Sequence, residues 1–262
     1  MNDRGGPSAP ASGRLRAEAT AAVAAFQFLT VAPPVVRRLF TAREMGAAVG
    51  YYPLAGLALG AVLAGLHWAL GQALPAGVVA ALALGAWVLL TGALHLDGFL
   101  DTCDGLLGGF TPEARLRILR DERVGAYAVA GGMLLLLLKY SAIAASVDAT
   151  RALLLAPLLG RWAISLAVVA FPYARPQGLG RDIKDQATWR RAALATAIAL
   201  PACALIGGWL GALAAVAVAV LLLGVARFTL ARIPGLTGDI YGAVCELSEA
   251  VVLVLFTVRF GT

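Results

Sequence analysis

Residues 192–226 read AALATAIALPACALIGGWLGALAAVAVAVLLLGVA, thirty-five consecutive positions without a charged side chain. At a rise of about 1.5 Å per residue, one straight helix of that length would overrun the roughly 30 Å hydrocarbon core of a bilayer. Gly207-Gly208 near the middle supplies a hairpin break, giving two short spans of 15 and 18 residues. Further apolar runs lie at about 46–70, 76–95, 125–147, 151–171 and 241–258. The expected fold is therefore all-α: a polytopic integral membrane protein of about seven transmembrane helices.

Composition leads to the same class. Of 262 residues, 60% are hydrophobic and 14% charged, with a mean hydropathy of +0.83. A soluble domain carries about 45–50% apolar and about 25% charged residues, so this chain lacks the polar surface to coat itself in water. The same figures exclude disorder and a disulfide scaffold, and the three cysteines (Cys103, Cys203, Cys245) have no metal spacing. A net charge of +6 reports topology and anionic lipid in such a protein, rather than nucleic acid.

Residues 1–18 are Gly/Pro/Ser/Arg-rich and read as a disordered cytoplasmic tail, leaving 19–262 as a single transmembrane catalytic domain. The apolar stretch Ala19–Ala32 is too short to span and has no A-x-A cleavage site, so it reads as an interfacial or re-entrant helix ending at Pro33-Pro34. With the N-terminus inside, seventeen Lys and Arg residues fall on the cytoplasmic side and two, Arg151 and Arg259, on the other. That bias orients the chain N-terminus in and C-terminus out. Nearly all the acidic residues share the cytoplasmic side. Acids do not set topology, so their asymmetry points to chemistry at that face.

The sharpest chemical feature is L-H-L-D-G-F-L-D-T-C-D-G at 94–105. Asp97, Asp101 and Asp104 stand at i, i+4 and i+7, within roughly 60° of arc on one helix face. Like charges so placed repel. A hard divalent cation such as Mg²⁺ removes that cost, taking one or two carboxylates together with phosphate oxygens of a substrate. The competing reading is a solvated acidic helix end. His95, two residues earlier, is a candidate base or an interfacial hydrogen-bonding residue. Downstream, Arg117, Arg120 and Arg123 recur at i, i+3 and i+6, a basic face able to grip phosphates or simply to anchor the helix. Asp121 interrupts them and could join a metal site. Lys139 and Arg161 lie within spans, where an ionisable group is a functional candidate by default and a structural ion pair is the alternative. In G-L-T-G-D-I-Y-G at 235–242, Thr237 and Gly238 open the last span beside Asp239, a turn whose N–H groups suit an anion. Glu246 and Glu249 follow on that helix and must be paired, protonated or metal-bound.

FQFLTVAPP (26–34), YYPLAGLALG (51–60), TGALHLDGFLDTCDGL (91–106), RDERVGAYAV (120–129), LLLLLKYSA (134–142) and GLTGDIYGAVCELSEAVVL (235–253) together resemble the cobalamin synthase, or adenosylcobinamide-GDP ribazoletransferase, family. The family often has Ala in the position of Cys103, and Glu or His in that of His95. The resemblance implies a phosphotransferase of the bacterial cytoplasmic (inner) membrane with its active site facing the cytoplasm. Adenosylcobinamide-GDP and α-ribazole, or its 5′-phosphate, would give adenosylcobalamin or its phosphate and GMP. Mg²⁺ would be held by Asp97, Asp101 and Asp104 with Asp121, and by Asp239, Glu246 and Glu249 if the last span completes the site. Arg120, Arg123 and Lys139, with Arg161, would face the phosphates. Two other classes stay open at this point: another Mg²⁺-dependent membrane transferase acting on CDP-alcohols or prenyl diphosphates, and a transporter using the intramembrane charges as a relay. A homo-oligomer is also left open.

Overall fold

The structure, a computed structural model, describes residues 11–259. The helices are α1 (Ala11–Leu29), α2 (Ala42–Ala48), α3 (Tyr52–Gly71), α4 (Ala76–Leu90), α5 (Leu94–Gly108) and α6 (Pro112–Ile118). They continue with α7 (Ala126–Ala145), α8 (Ala149–Ala170), α9 (Leu179–Gln186), α10 (Trp189–Leu230) and α11 (Gly238–Leu255). No strand occurs among the described residues; one isolated bridge pairs Tyr173 with Leu236. The all-helical expectation holds.

A short 3-10 turn, Val49–Tyr51, runs α2 directly into α3. By length and apolarity four helices can cross a membrane: Ala42–Gly71, Ala126–Ala145, Ala149–Ala170 and Trp189–Leu230. The pair α4–α5 makes a fifth if it is one broken span. The expected count of seven differs for two reasons. Helix α10 holds a non-helical residue at Gly208 (φ 57, ψ −137), where the chain folds back so tightly that Gly211 packs on the Cys203 carbonyl. Its arms, 189–207 and 209–230, are the two legs expected from the glycine pair. Helix α11 carries Asp239, Glu246 and Glu249, too many acids for a span judged on composition.

Helix α8 is the axis of the bundle, packed by α3, α11 and α10 and buried along most of its length. Leu134, Leu137 and Leu138 on α7 and Leu205, Val216, Val220 and Leu223 on α10 point outward as exposed apolar side chains. An outward apolar surface around a charged interior is the arrangement a bilayer selects. One end of the bundle gathers Gly77 against Tyr140, Val147 bonded to the Phe256 carbonyl, and the Gly207 tip beside Leu155 and Phe256. The opposite, basic end carries the segments 109–125, 171–188 and 231–238.

Two sequence expectations need correction. Helix α1 starts at Ala11, so part of the expected tail is helical, and Glu18 is held there by Arg191 and by the Tyr51 hydroxyl. The rest of that tail, residues 1–10, lies outside the described residues. The second expected span, 76–95, ends early. Gly92 and Ala93 both take left-handed backbone conformations (φ 58 and φ 57), and the chain bends by 89° into α5. Ala93 bears a cost of about 1–2 kcal/mol for that conformation, which the packing of α5 on α11 offsets. The aspartates thus sit on a separate helix instead of on the foot of a straight span.

Candidate active site

Helix α5 lies against α11 because both present glycine at the crossing. A Cβ on Gly98 would meet the Asp239 backbone at 2.9 Å, and one on Gly242 would meet the His95 carbonyl at 2.8 Å. This contact brings the aspartate helix beside the T-G-D turn. Thr237 caps α11 by accepting from the Ile240 amide, and its hydroxyl donates to Asp239 at 3.1 Å. The loop after α8 is pinned to the same turn by two backbone bonds, from Ala174 N–H to the Leu236 carbonyl and from Leu236 N–H to the Pro172 carbonyl. Arg175 is thereby delivered to Asp239 at 2.7 Å.

The three aspartates of α5 divide in role. Asp104 accepts from the amides of Gly125 (2.6 Å) and Ala128 (2.9 Å), capping α7, whose own first residues offer no side-chain cap. Both its oxygens are engaged, so Asp104 positions helices. Among the described residues, none donates a hydrogen bond to Asp97 or Asp101. Both face a cavity of about 270 Å³ that Asp104 also lines, together with Arg120, Asp121, Glu122 and Arg123. Asp97, Asp104 and Asp239 all act on the Asp101 carboxylate as like charges, offset in part by Arg175. Asp121 pairs with Arg123 at 3.2 Å.

Among the described residues, no three acidic, histidine or cysteine side chains close around an ion by themselves. Two free, mutually repelling carboxylates in one small cavity nonetheless fit Mg²⁺, which keeps waters and recruits phosphate oxygens for its remaining positions.

The intramembrane charges pair with one another. Lys139 bonds to both Glu246 and Glu249, Arg161 bonds to Glu249, and all four are buried. Lys139 also stands over the Trp87 ring. Glu246 and Glu249 lie seven and ten residues beyond Asp239, about 10 and 15 Å along the helix axis. They compensate Lys139 and Arg161 and are separate from the aspartates. Their pairing is the structural ion pair that the sequence left as the alternative to metal binding by the glutamates and phosphate binding by Lys139 and Arg161. His95 belongs to the same group: its Nδ1 is 3.3 Å from the Arg161 guanidinium.

Three cavities meet at Arg120. The first is the acidic one. The second is an open cleft lined by Arg117, Arg120, Arg123 and Arg175. The third, about 460 Å³, reaches inward past Asp97, Gly238 and Asp239 to His95, Tyr52 and Tyr241. Sequence reasoning missed Arg175 and the two tyrosines. A lone arginine between Tyr173 and Pro176 gave no signal beyond a Pro-bracketed loop, and both tyrosines sat inside apolar runs.

The model of the family described as cobalamin-5-phosphate synthase matches residues 21–257. A relative from Stutzerimonas stutzeri, an adenosylcobinamide-GDP ribazoletransferase, is 42% identical over 90% of this chain and 97% of its own length. Relatives of the same name are 40% identical in Pseudomonas syringae, over 87% of this chain and 95% of theirs, and 39% identical in Roseiflexus, over 89% and 87%. No solved structure is significantly similar. A bundle that brings two unbonded aspartates and an arginine cleft to one junction, with this similarity along nearly its whole length, belongs to the cobalamin-5-phosphate synthase family.

Proposed function

We infer that the chain is an adenosylcobinamide-GDP ribazoletransferase, joining adenosylcobinamide-GDP to α-ribazole, or to its 5′-phosphate, with release of GMP. The observation that carries the reading is the Arg120 junction, where carboxylates without protein partners face an arginine-lined cleft. Such a pairing suits attack by an alcohol on a diphosphate. The ribazole hydroxyl oxygen bonds to the phosphorus attached to cobinamide, the P–O bond to GMP breaks, and the hydroxyl proton passes to a carboxylate.

Arg117, Arg120, Arg123 and Arg175 hold the diphosphate and take up charge as GMP leaves. Asp97 and Asp101 are the residues that would hold Mg²⁺, which when bound offsets the charge of the diphosphate. Asp239, fixed by Arg175 and Thr237, stands next to them. The basic end of the bundle would face the cytoplasm of a bacterial inner membrane, supported by the seventeen-to-two distribution of basic residues.

The test is GMP release from adenosylcobinamide-GDP and α-ribazole by detergent-purified protein, with and without EDTA. Turnover that depends on both substrates and on Mg²⁺ is expected. Turnover unaffected by EDTA would remove the metal, and none under any condition would remove the assignment.

A further inference from the structure

We propose that the inner cavity of about 460 Å³ is the subsite for the acceptor, a nucleoside with an apolar aromatic base, and that the donor stays in the arginine cleft. This rests on the transferase reading above. The volume suits one small ligand, whereas a corrinoid nucleotide is several times larger than α-ribazole and must remain outside. Charge divides the two spaces in the same way. The cleft sets four arginines against Glu113, Asp121 and Glu122 and keeps a net positive charge, whereas in the inner cavity Arg120 and Arg175 are matched by Asp97 and Asp239. Beyond them the wall is Phe28, Leu29, Ile164 and Val168, a surface for an uncharged aromatic base and a poor one for a diphosphate.

Two hydroxyls of the cavity's residues are unsatisfied. The hydroxyls of Tyr52 and Tyr241 are buried and have no hydrogen-bond partner among the described residues, a cost that a native structure rarely carries without use. His95 is 4% exposed and gives its Nδ1 to Arg161. A guanidinium only donates, so Nδ1 accepts, and the hydrogen of the neutral ring sits on Nε2, which bonds to none of the described residues. The cavity is therefore lined by two tyrosines with unsatisfied hydroxyls and by one histidine N–H, groups that match a ligand with ring nitrogens and ribose oxygens. It also follows that His95 enters the cavity as a donor, which leaves the proton-accepting step to a carboxylate.

Tyr241→Phe and Tyr52→Phe test the assignment. Each removes a hydroxyl that bonds to nothing in the free protein, so the melting temperature in detergent should hold or rise. The KM for α-ribazole should rise about fivefold in each, while the KM for adenosylcobinamide-GDP should stay within twofold. A raised donor KM with an unchanged acceptor KM would put the nucleotide in this cavity and overturn the proposal. Unchanged values for both substrates would do the same. Equilibrium dialysis of α-ribazole against wild type and Tyr241→Phe, with no donor present, reads the cavity independently of turnover. Weaker binding to the variant supports the subsite even if GMP release fails, and equal binding sinks it even if GMP release succeeds.

Discussion

Consider the replacement of Glu249 by glutamine. Glu249 is fully buried and holds two cations, Lys139 and Arg161, whereas Glu246 bonds only to Lys139. Loss of the Glu249 charge leaves Arg161 with no carboxylate, and its other neighbour, the accepting nitrogen of His95, carries no charge. Breaking a buried pair from one side costs on the order of 3–5 kcal/mol because a cation is left desolvated. Loss of Glu246 leaves Lys139 still bonded to Glu249, so the expected cost is smaller, about 1–3 kcal/mol. Thermal unfolding of the purified variants in one detergent should rank Glu249→Gln well below Glu246→Gln, and both below wild type. The double variant Arg161→Met with Glu249→Met, which removes charge from both partners, should recover most of the loss. A Glu249→Gln variant as stable as wild type, or the reverse order of the two glutamates, would refute the buried ion cluster.

Asp97→Asn or Asp101→Asn should abolish turnover with normal membrane insertion and melting temperature. Asp104→Asn should instead lower stability by about 1 kcal/mol through loss of the α7 cap, and comparable effects at all three positions in kinetics and melting would count against the division of roles. Gly98→Ala should force α5 from α11, since its Cβ would lie 2.9 Å from a backbone atom; a stability loss of about 1–3 kcal/mol is expected, and Ala at Gly85, which has open space around it, serves as the neutral control. A reporter inserted near Gln177 should read cytoplasmic and one fused to the C-terminus should read the opposite face. The same side for both would show that the Gly208 fold-back is not a membrane hairpin.

The fold was legible where one physical constraint dominates. Charge-free length forced a membrane class, and the Gly207-Gly208 pair marked the reversal because no straight helix of that length fits a bilayer. The bend at Gly92 and Ala93 was hidden because the apolar run continues through it and an alanine carries no mark of the left-handed backbone it takes there. The aspartate face was visible from spacing alone. Which aspartate caps a helix and which is free depends on where the start of α7 comes to rest, and helical periodicity holds no such information. That Lys139 and Arg161 could pair with the glutamates of the last span was legible from charge alone, but the choice between pairing and ligand binding was not, since the residues they bond to lie 88 to 110 positions later in the chain.

That separation in sequence has a bearing on how the protein is made. Synthesis runs from the N-terminus, so Lys139 and Arg161 reach the membrane well before Glu246 and Glu249. Each cation at bilayer depth carries about 2.5–3.5 kcal/mol on insertion scales until it is matched. Helix α8, the axis of the finished bundle, also waits for α10 and α11 to cover it. The nascent chain therefore holds uncompensated charge while 88 to 110 further residues are made, and arrival of the last helix acts as the latch that closes the bundle. Chains truncated before α11 should be held by the insertion machinery or degraded by quality control, a selection for full-length product written into the order of the charges.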